Sequence, residues 1–382
     1  MRKEKIVIIR NAASQDFGGG ERFPVFLAEI LKDKQLDPVI ISRSKKLLAF
    51  ADERGIKNVT GWWWSKQQWS GLNNLLIPVY ILWQLLLFAY YFVLFIKLKP
   101  STIHIQSKDD FIAATYAGRI LGKNIVWTDH ADLKHVWENV TVHFKNPIGK
   151  MILVAAKHTH SITVVSKSEK ELVTNNLGQS SKILEKIQVV YNGVVDQSAH
   201  YKHSEGDTFK YIVAGRLVKD KGISEAISAF KVLRQKYKNI QLDLIGDGPD
   251  AKTFMLEASG VPSINFYGHQ TNPLEYISKA NVFVHPTYHE GFSVALVEAS
   301  MLSMPIIATS VGGNVEIIIN NETGLLVPSH SIDELLMAME ELLVNKHLRD
   351  KIGTNARTQY QEKFQFDKIV SQQFIPLYGV IV

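Results

Sequence analysis

The sequence contains no cysteine among its 382 residues. This absence excludes disulfide bonds, thiolate metal sites and cysteine nucleophiles together, and it fits a reducing compartment. There is also no low-complexity tract, and 46% hydrophobic with 21% charged residues is the composition of an ordinary globular protein. The first apolar run, "KIVIIR", is too short for a secretory signal. We therefore expect a cytoplasmic protein, and its length predicts two domains.

Charge is distributed unevenly along the chain. Residues 1–195 carry 26 Lys+Arg against 16 Asp+Glu, whereas residues 196–382 carry 17 against 21. A basic half indicates that one surface meets something anionic. The sequence has no helix-turn-helix, zinc-finger or aromatic-basic signature, so nucleic acid is not expected as a partner. An anionic membrane surface is the better candidate.

Short Val- and Ile-rich runs alternate with helical stretches throughout the chain. Such runs, buried on both faces and separated by helices, predict parallel sheets built from βαβ units. The runs in the first half are "KIVIIR", "PVIIS", "TIHIQ", "NIVWTDH" and "SITVVS"; those in the second are "FKYIVAGR", "IQLDLIGDG", "INFYGH", "VFVHP" and "PIIATS". The pattern restarts after a polar stretch near residues 194–208. The fold class predicted is α/β, with two doubly wound domains that face a cleft and bind ligands beyond the carboxyl ends of their strands.

Residues 77–96, "IPVYILWQLLLFAYYFVLFI", form the most apolar segment, with Gln84 as its polar side chain. Three interpretations stay open: a helix buried against the sheet, a helix seated in a membrane interface, and a membrane span. Spanning is disfavoured because it would separate two strands, at 5–10 and 102–106, that belong to one sheet. The interfacial interpretation is favoured by nearby tryptophans and lysines, namely Trp62 to Trp64, Trp69, Lys66, Lys97 and Lys99.

The stretch "HEGFSVALVE" sets Glu290 and Glu298 eight positions apart. If the helix begins at about Ser293, Glu290 lies in the preceding loop and Glu298 in the second turn, with free helical N–H groups between them. The Gly291–Val294 amides, which include Phe292, would then bind phosphate between two carboxylates that bind hydroxyls. A sugar nucleotide has that shape, with its ribose on Glu298 and its sugar on Glu290. The alternative is that both glutamates are ordinary solvated residues.

This stretch resembles the E-x7-E motif of the retaining, family-four glycosyltransferases, which have the GT-B architecture of two Rossmann-like domains. "AGRLVKDKG" looks like the family's basic motif, which implies that Arg216 and Lys221 hold the donor diphosphate. Two cations can stabilise a departing diphosphate without a metal. "FYGHQTNPLEYI" resembles the segment near the nucleotide base, which makes Tyr267 and His269 donor-binding candidates. "LIGDGP", "ATSVGGNVEII" and "ETGLLVP" match further family segments.

The first half resembles the same family less sharply. "FGGGERF" is similar to its N-terminal glycine loop, in which Gly18 and Gly19 let backbone amides approach phosphate. It is not a G-x-G-x-x-G fingerprint, so cofactor-dependent redox chemistry loses support. His130, in "VWTDHADL", takes the position where the family often has a histidine facing the reacting sugar. "VVYNGVVD" departs from the usual N-G-V-D because Val195 precedes Asp196, which puts a role for that aspartate in doubt.

The resemblance implies a retaining, metal-independent transfer of a sugar from a nucleotide diphosphate donor, which is a substrate, so that no cofactor is expected. Catalytic roles fall to Arg216, Lys221, Glu290 and His130. The domains implied are an acceptor domain at 1–195, a donor domain at 196–365, and a helix at 366–382 that crosses back to the first domain. The expected acceptor is a glycan or lipid-linked glycan of envelope polysaccharide or lipopolysaccharide synthesis, at the inner face of the cytoplasmic membrane.

Two other classes stay open. One is a non-catalytic nucleotide-sugar-binding subunit of a glycosyltransferase complex, and the other is a sugar-nucleotide epimerase or a dehydrogenase. The second would need a dinucleotide fingerprint after the first strand. The motifs do not distinguish UDP, GDP and ADP donors.

Overall fold

The computed structural model describes residues 3–11, 19–61, 73–130, 147–179, 181–201 and 206–380. The chain forms two compact units. Unit 1 comprises Met1–Tyr191 together with Asp367–Val382, and unit 2 comprises Asn192–Phe366. Gly18, Lys66 and the tryptophans at 62–64 and 69 lie outside the described residues.

Unit 1 contains a seven-stranded parallel sheet. Its strands are β1 (Lys5–Ile9), β2 (Asp37–Ser42), β3 (Lys57–Thr60), β4 (Thr102–Ile105), β5 (Asn124–Asp129), β6 (Ser161–Val164) and β7 (Ile187–Val189). They are arranged in the order β3-β2-β1-β4-β5-β6-β7. Its helices are α1 (Gly19–Asp33), α2 (Lys45–Asp52), α3 (Asn73–Leu98), α4 (Phe111–Ile120), α5 (Pro147–Ala156) and α6 (Lys167–Leu177). Right-handed crossovers in opposite directions from β1 place these helices on both faces of the sheet.

Unit 2 repeats this architecture with six parallel strands. These are β8 (Phe209–Ala214), β9 (Ile240–Ile245), β10 (Ile264–Gly268), β11 (Val282–His285), β12 (Ile306–Thr309) and β13 (Leu325–Val327), in the order β10-β9-β8-β11-β12-β13. The helices are α7 (Ile223–Lys236), α8 (Ala251–Glu257), α9 (Pro273–Ile277), α10 (Val294–Met301), α11 (Asn314–Ile317), α12 (Ile332–Val344) and α13 (Lys346–Gln359). Each unit has its own apolar core. Both units are doubly wound parallel-sheet domains, as predicted.

Most of the strands that the sequence predicted are largely buried, and the edge strand β10 is the exception. Central strands such as β4 and β6 are buried at every position, so their residues read as continuous apolar runs. The sequence did not predict β3, β7 and β13, each of which lies at the edge of its sheet. β3, "KNVT", has no buried residue, so it lacks the apolar run by which a strand is recognised.

Helix α3 contains the 77–96 segment and connects β3 with β4 of one sheet. The stretch Ile77–Leu98 is long and apolar enough to cross a membrane, yet only 28% of its most apolar window is buried. Because β1 pairs directly with β4 (Ile6 with Thr102), a single span here would divide the sheet. Packing against the sheet therefore buries only one face of this apolar helix.

The end of the chain joins unit 1. After α13 the backbone continues through a π-helical turn (Tyr360–Phe364), α14 (Phe366–Ile369), a second π-helical turn (Val370–Phe374) and α15 (Ile375–Leu377). Thr102 Oγ1 donates to the carbonyl of Tyr378 at 3.0 Å, and Asn124 Nδ2 donates to the carbonyl of Leu377 at 2.9 Å. The terminal segment is therefore hydrogen-bonded to β4 and β5.

His104, on β4, is the buried centre of this attachment. Its Nδ1 lies 2.8 Å from the Tyr378 hydroxyl and its Nε2 lies 2.6 Å from Thr128 Oγ1. Burial lowers the pKa of His104 to about 3, so the imidazole is neutral in the folded protein.

Replacing His104 with glutamine should make the stability of unit 1 less dependent on pH. Between the ordinary histidine pKa of about 6.5 and the folded value of about 3, only the unfolded chain binds this proton, so stability falls as the pH is lowered. The histidine's contribution at pH 5 is ~2 kcal/mol. Guanidinium unfolding at pH 7 and pH 5 can be followed by tryptophan fluorescence, since all seven tryptophans lie at or before residue 137.

His158→Gln is the matched control, because this half-buried histidine belongs to the same unit and packs its ring on Tyr116. Equal losses of stability between pH 7 and pH 5 in wild type and His104→Gln would contradict the assignment of a lowered pKa to His104.

Candidate active site

In unit 2 the predicted residues collect where the strand order reverses. β8 and β11 are neighbours in the sheet, although they are not consecutive in the chain. Arg216 follows the carboxyl end of β8, and Glu290 follows the carboxyl end of β11. In open parallel sheets, ligands bind outside the carboxyl ends at this switch point. The topology therefore gives a shared position to motifs more than seventy residues apart in sequence.

Glu290 is the anchored carboxylate of this site. Lys221 Nζ lies 2.6 Å from Glu290 Oε2, and His285 Nε2 lies 3.3 Å from the same oxygen. Burial alone would raise the pKa of Glu290, but the hydrogen bond from His285 and the Lys221 ammonium outweigh it and lower the pKa to about 2. Glu290 is therefore a fixed anion at neutral pH, with both of its neighbours on one oxygen.

The backbone of the Glu290 loop is held from two sides. The amide of Tyr288 donates to the carbonyl of Asp220 at 2.8 Å, which ties the loop to the turn that carries Lys221. On the other side, the amide of Gly313 donates to the carbonyl of Glu290 at 3.1 Å. Gly312, with φ +46°, approaches so closely that a Cβ there would lie 1.8 Å from that carbonyl oxygen. This contact explains why Gly312, the first of the paired glycines in "ATSVGGNVEII", has no side chain.

Helix α10 begins where the sequence predicted. Ser293 is its N-cap, and the hydroxyl accepts from the amide of Leu296 at 3.3 Å. Glu298 is half-buried in the second turn, and the Phe292 ring is buried 5.8 Å from that of Phe364. Since the Ser293 hydroxyl is used in capping, the groups that the start of α10 can offer an anion are its first backbone amides.

The other donor-binding candidates of unit 2 are more exposed. Arg216 extends from the loop after Gly215, and its side chain is exposed. Tyr267 and His269 lie on and after β10, at the sheet edge, two strands away from β8. At about 4.8 Å between neighbouring strands, that is a lateral separation of roughly 10 Å. The Tyr267 ring packs 5.1 Å from the ring of Tyr276, so it is already ordered.

Unit 1 has a switch point of its own, between β1 and β4. Arg10 follows β1 and donates from Nη1 to the carbonyl of Gln106, which follows β4, at 2.6 Å. The amide group of Gln106 is fully buried, and neither its nitrogen nor its oxygen has a hydrogen-bond partner in the part of the chain that the structure describes. Gly19, the other residue predicted here, is the first residue of α1, in the connection that follows β1.

His130 directly follows the next strand of that sheet, β5. The Phe23 ring stands edge-on to its imidazole, with 5.0 Å between the ring centroids. Its Nε2 is inaccessible to solvent and has no hydrogen-bond partner among the described residues. Burial, together with the Arg10 charge, lowers the pKa of His130 well below its usual value. His130 is therefore a neutral hydrogen-bonding group at pH 7.

Sequence reasoning missed three polar residues at these edges: His285, Gln106 and Asp110. Each of them follows or ends a predicted strand, and this position is the feature by which the sequence could have identified them as site residues. Asp110 is fully buried and accepts from the Tyr91 hydroxyl at 2.7 Å and from Asn11 Nδ2 at 2.8 Å. Burial raises its pKa to about 7, although these hydrogen bonds oppose the rise.

Asp196 has a structural contact. Its carboxylate forms a two-point ion pair with the Arg357 guanidinium of α13, at 2.6 and 3.1 Å, and accepts from the Ser198 hydroxyl at 2.8 Å. Arg357 also donates to the carbonyl of Met301 at 2.9 Å. This aspartate therefore ties the start of unit 2 to its last helix, a role that agrees with its departure from the family motif.

Two family models match successive parts of the chain. The model described as "Glycosyltransferase Family 4" matches residues 17–198, and that described as "Glycosyl transferases group 1" matches residues 196–359. Among curated proteins, the capsular polysaccharide biosynthesis glycosyltransferase CapM of Staphylococcus aureus is 30% identical over 58% of this chain and 62% of its own. The N-acetyl-alpha-D-glucosaminyl L-malate synthase of Bacillus anthracis is 26% identical over 71% and 72%. The chain spans about three fifths of the length of the first curated relatives it matches.

Solved structures share the fold along nearly the whole chain. A glycosyltransferase from Rickettsia africae superposes with a TM-score of 0.79 at 17% identity and covers 99% of both chains. The Anabaena protein Alr3699/HepE, solved in complex with UDP, gives a TM-score of 0.75 at 16% identity over 99% of this chain and 100% of that one. At such identities the likeness shows the fold, and it confirms the predicted GT-B class.

Replacing Gly312 with alanine should displace the Glu290 loop. The new methyl would overlap the Glu290 carbonyl, so the loop must move and the hydrogen bonds made by the Tyr288 and Gly313 amides should break. Hydrogen exchange of peptides covering 286–292 and 310–316 should accelerate by at least tenfold, because an opening free energy lower by about 1.4 kcal/mol is a factor of ten.

Gly260→Ala is the control, since Gly260 also has a positive φ (+79°) but has open space around its Cβ position. Equal exchange in the two variants would show that Gly312 does not position the loop.

Proposed function

The chain belongs to the family-four, group 1 glycosyltransferases, and from this premise we propose that it transfers a sugar from a nucleotide diphosphate-sugar donor to a hydroxyl group of a glycan or lipid-linked acceptor. The reaction serves bacterial polysaccharide synthesis at the cytoplasmic face of the membrane. The relative that makes capsular polysaccharide and the neighbour that binds UDP support this assignment. The observation that carries it is the anchored Glu290–Lys221 pair beside the start of α10, at the switch point of unit 2.

Donor binding uses both the Glu290–Lys221 pair and the start of α10. Lys221 has three N–H donors, of which one is directed at Glu290, so others can bind the diphosphate. Arg216 and the first amides of α10 add a second cation and a dipole end. Glu298 binds the ribose hydroxyls, and the base lies toward Tyr267 and His269. In this scheme the cations of the chain balance the diphosphate charge without a metal ion.

The charge state of Glu290 favours a positioning role. A carboxylate whose pKa is about 2 is a weak proton acceptor at neutral pH, so it is a poor general base. It accepts hydrogen bonds from hydroxyls of the donor sugar instead. The bond between the anomeric carbon and the phosphate oxygen breaks as the acceptor oxygen attacks from the same face, and the acceptor proton passes to the departing phosphate oxygen. This sequence retains the anomeric configuration.

Unit 1 provides the acceptor side of the reaction. Gln106 and His130 are uncharged hydrogen-bonding groups at the carboxyl edge of its sheet. Neutral donors and acceptors suit the hydroxyl groups of a glycan better than they suit a charged ligand. His130 supports the reacting sugar or the acceptor, and the Gly19 region lies at the same edge.

Removal of either cation should slow sugar transfer far more than it weakens folding. We expect Arg216→Ala and Lys221→Ala to lower turnover about 100- to 1,000-fold, the usual loss when one group that stabilises developing charge is removed. Lys219→Ala is the matched control, because it removes an exposed lysine from the same short helical turn. Transfer and acceptor-independent hydrolysis can be measured across UDP-, GDP- and ADP-sugars. Equal rates for Lys219→Ala and Lys221→Ala would refute the diphosphate role.

Replacing Glu298 with alanine should weaken donor binding by at least tenfold, since a charged hydrogen-bond acceptor for the ribose contributes about 1.5–3 kcal/mol. Glu341→Ala, which removes an exposed glutamate from α12, should leave binding unchanged. Calorimetric titration with the nucleoside diphosphate of the best donor measures both. Unchanged affinity for Glu298→Ala would remove the ribose contact, and binding without any donor hydrolysis would indicate a non-catalytic subunit.

A further inference from the structure

Between Ile77 and Ile96, helix α3 directs its polar residue Gln84 toward the protein and a row of aliphatic side chains toward solvent. From Ile77 to the end of the helix, where burial is described, the buried residues are Tyr80, Gln84, Leu87, Tyr91 and Phe95. At about 100° per residue, these five fall within an arc of roughly 80°. Gln84, the polar side chain of the 77–96 segment, is therefore on the inside, where a soluble helix normally places apolar residues.

The inward polar groups hold α3 against unit 1. Gln84 Nε2 donates to the carbonyl of Asp109 at 3.1 Å, and Tyr91 donates to the Asp110 carboxylate at 2.7 Å. Both acceptors belong to the loop after β4, at the carboxyl edge of the sheet. Because these two hydrogen bonds tie Gln84 and Tyr91 to the same unit, they hold α3 with its apolar face outward.

The outward face is large and entirely apolar along its centre. Six aliphatic side chains are 48–59% exposed: Val79, Leu82, Leu85, Leu86, Val93 and Ile96. They lie on the opposite side of the helix from the buried set and extend over more than four turns. Isolated exposed apolar residues are common, but a continuous stripe of this length is typical of a surface that binds a partner or a membrane.

The surroundings of this stripe are basic. α4 packs against both α3 and α5, and none of these three helices contains an acidic residue. Basic residues lie in the last turns of α3 and α4, at Lys97 and Arg119, and in α5 at Lys150. An apolar stripe bordered by cations is complementary to a bilayer that has anionic headgroups above its acyl chains.

A basic cavity of about 480 Å³ lies where α3 ends. Lys99 and Lys123 line it together with Lys3, near the amino ends of the strands. Its lining has five lysines against two acidic residues, Glu4 and Asp37, and the Asp37 carboxylate is already engaged by Lys57, at 2.7 Å. The cavity can therefore take an anionic headgroup next to the apolar stripe.

We propose that the outward face of α3, with the lysine-lined cavity at its end, is the surface by which this protein docks on anionic phospholipid. The helix lies in the plane of the interface, and its inner face stays packed on unit 1. The inference deepens the proposed function, because an enzyme docked on the membrane encounters a lipid-linked acceptor within the plane of the bilayer. The docking itself requires no sugar transfer.

Flotation of the full chain with vesicles tests the surface. Binding to vesicles of 30% phosphatidylglycerol in phosphatidylcholine should exceed binding to pure phosphatidylcholine by at least tenfold at low salt, because each basic side chain near an anionic surface contributes about fivefold. Leu82→Ser/Leu86→Ser should lower partitioning at least tenfold. Met337→Ser/Val344→Ser, on α12 of unit 2, is the matched control, since both side chains are 62–63% exposed.

A charge-reversed pair tests the cavity. Lys99→Glu/Lys123→Glu should lose the preference for phosphatidylglycerol, whereas Lys252→Glu/Lys351→Glu, on exposed positions of unit 2, should keep it. Nucleotide-sugar binding by thermal shift should be unchanged in all four variants, which separates failed docking from a failed assignment of function.

Three results would overturn the proposal. One is the absence of wild-type protein from floated vesicles, and another is equal flotation of the Leu82/Leu86 and Met337/Val344 variants. The third is a wild-type oligomer in solution that the Leu82/Leu86 substitutions dissociate, since a second copy of the chain would then be the occupant of the stripe.

Discussion

The pairing of Glu290 with Lys221 is the constraint on which the site of unit 2 depends. It joins the loop after β11 to the turn after β8, and it helps to keep Glu290 ionised at neutral pH. Burial alone would raise the pKa of the Glu290 carboxyl group. With Lys221 beside it the carboxylate stays ionised, and in the proposed function the pair offers an anion to hydroxyl groups and a cation to phosphate. His285 supports the carboxylate from the strand itself.

Both units have a point at which the strand order of the sheet reverses. Each sheet reverses its strand order next to its first strand, at β1/β4 and at β8/β11, and each reversal is lined by polar side chains. Their character differs, however. The edge of unit 2 has paired charges, whereas Gln106 and His130 in unit 1 are neutral. In the proposed function, unit 2 would bind the charged donor and unit 1 the uncharged hydroxyl acceptor.

The sequence predicted the class of fold and most of its central strands, because strands buried on both faces must be continuous apolar runs. The start of α10 was also predictable, since Ser293 follows a glycine turn and its hydroxyl caps the helix. The edge strand β3, "KNVT", was missed because exposure removes the apolar signal. Arg216 and Lys221 follow the carboxyl end of β8, and Glu290 and Glu298 follow that of β11, while the assignment of each to a ligand atom stays a prediction.

What the sequence determined by itself was therefore local: apolar runs, caps, glycine turns and a family resemblance. The tertiary structure alone decided which distant groups meet. Asp196 contacts Arg357 and His104 contacts Tyr378 only in the folded chain, because these partners belong to different elements. His285 contacts Glu290 because of the way the end of its strand is oriented. It also decided the orientation of α3. Composition could not reveal which face is outward, since a helix apolar on nearly every side has no hydrophobic direction, and two hydrogen bonds to the loop after β4 set its rotation.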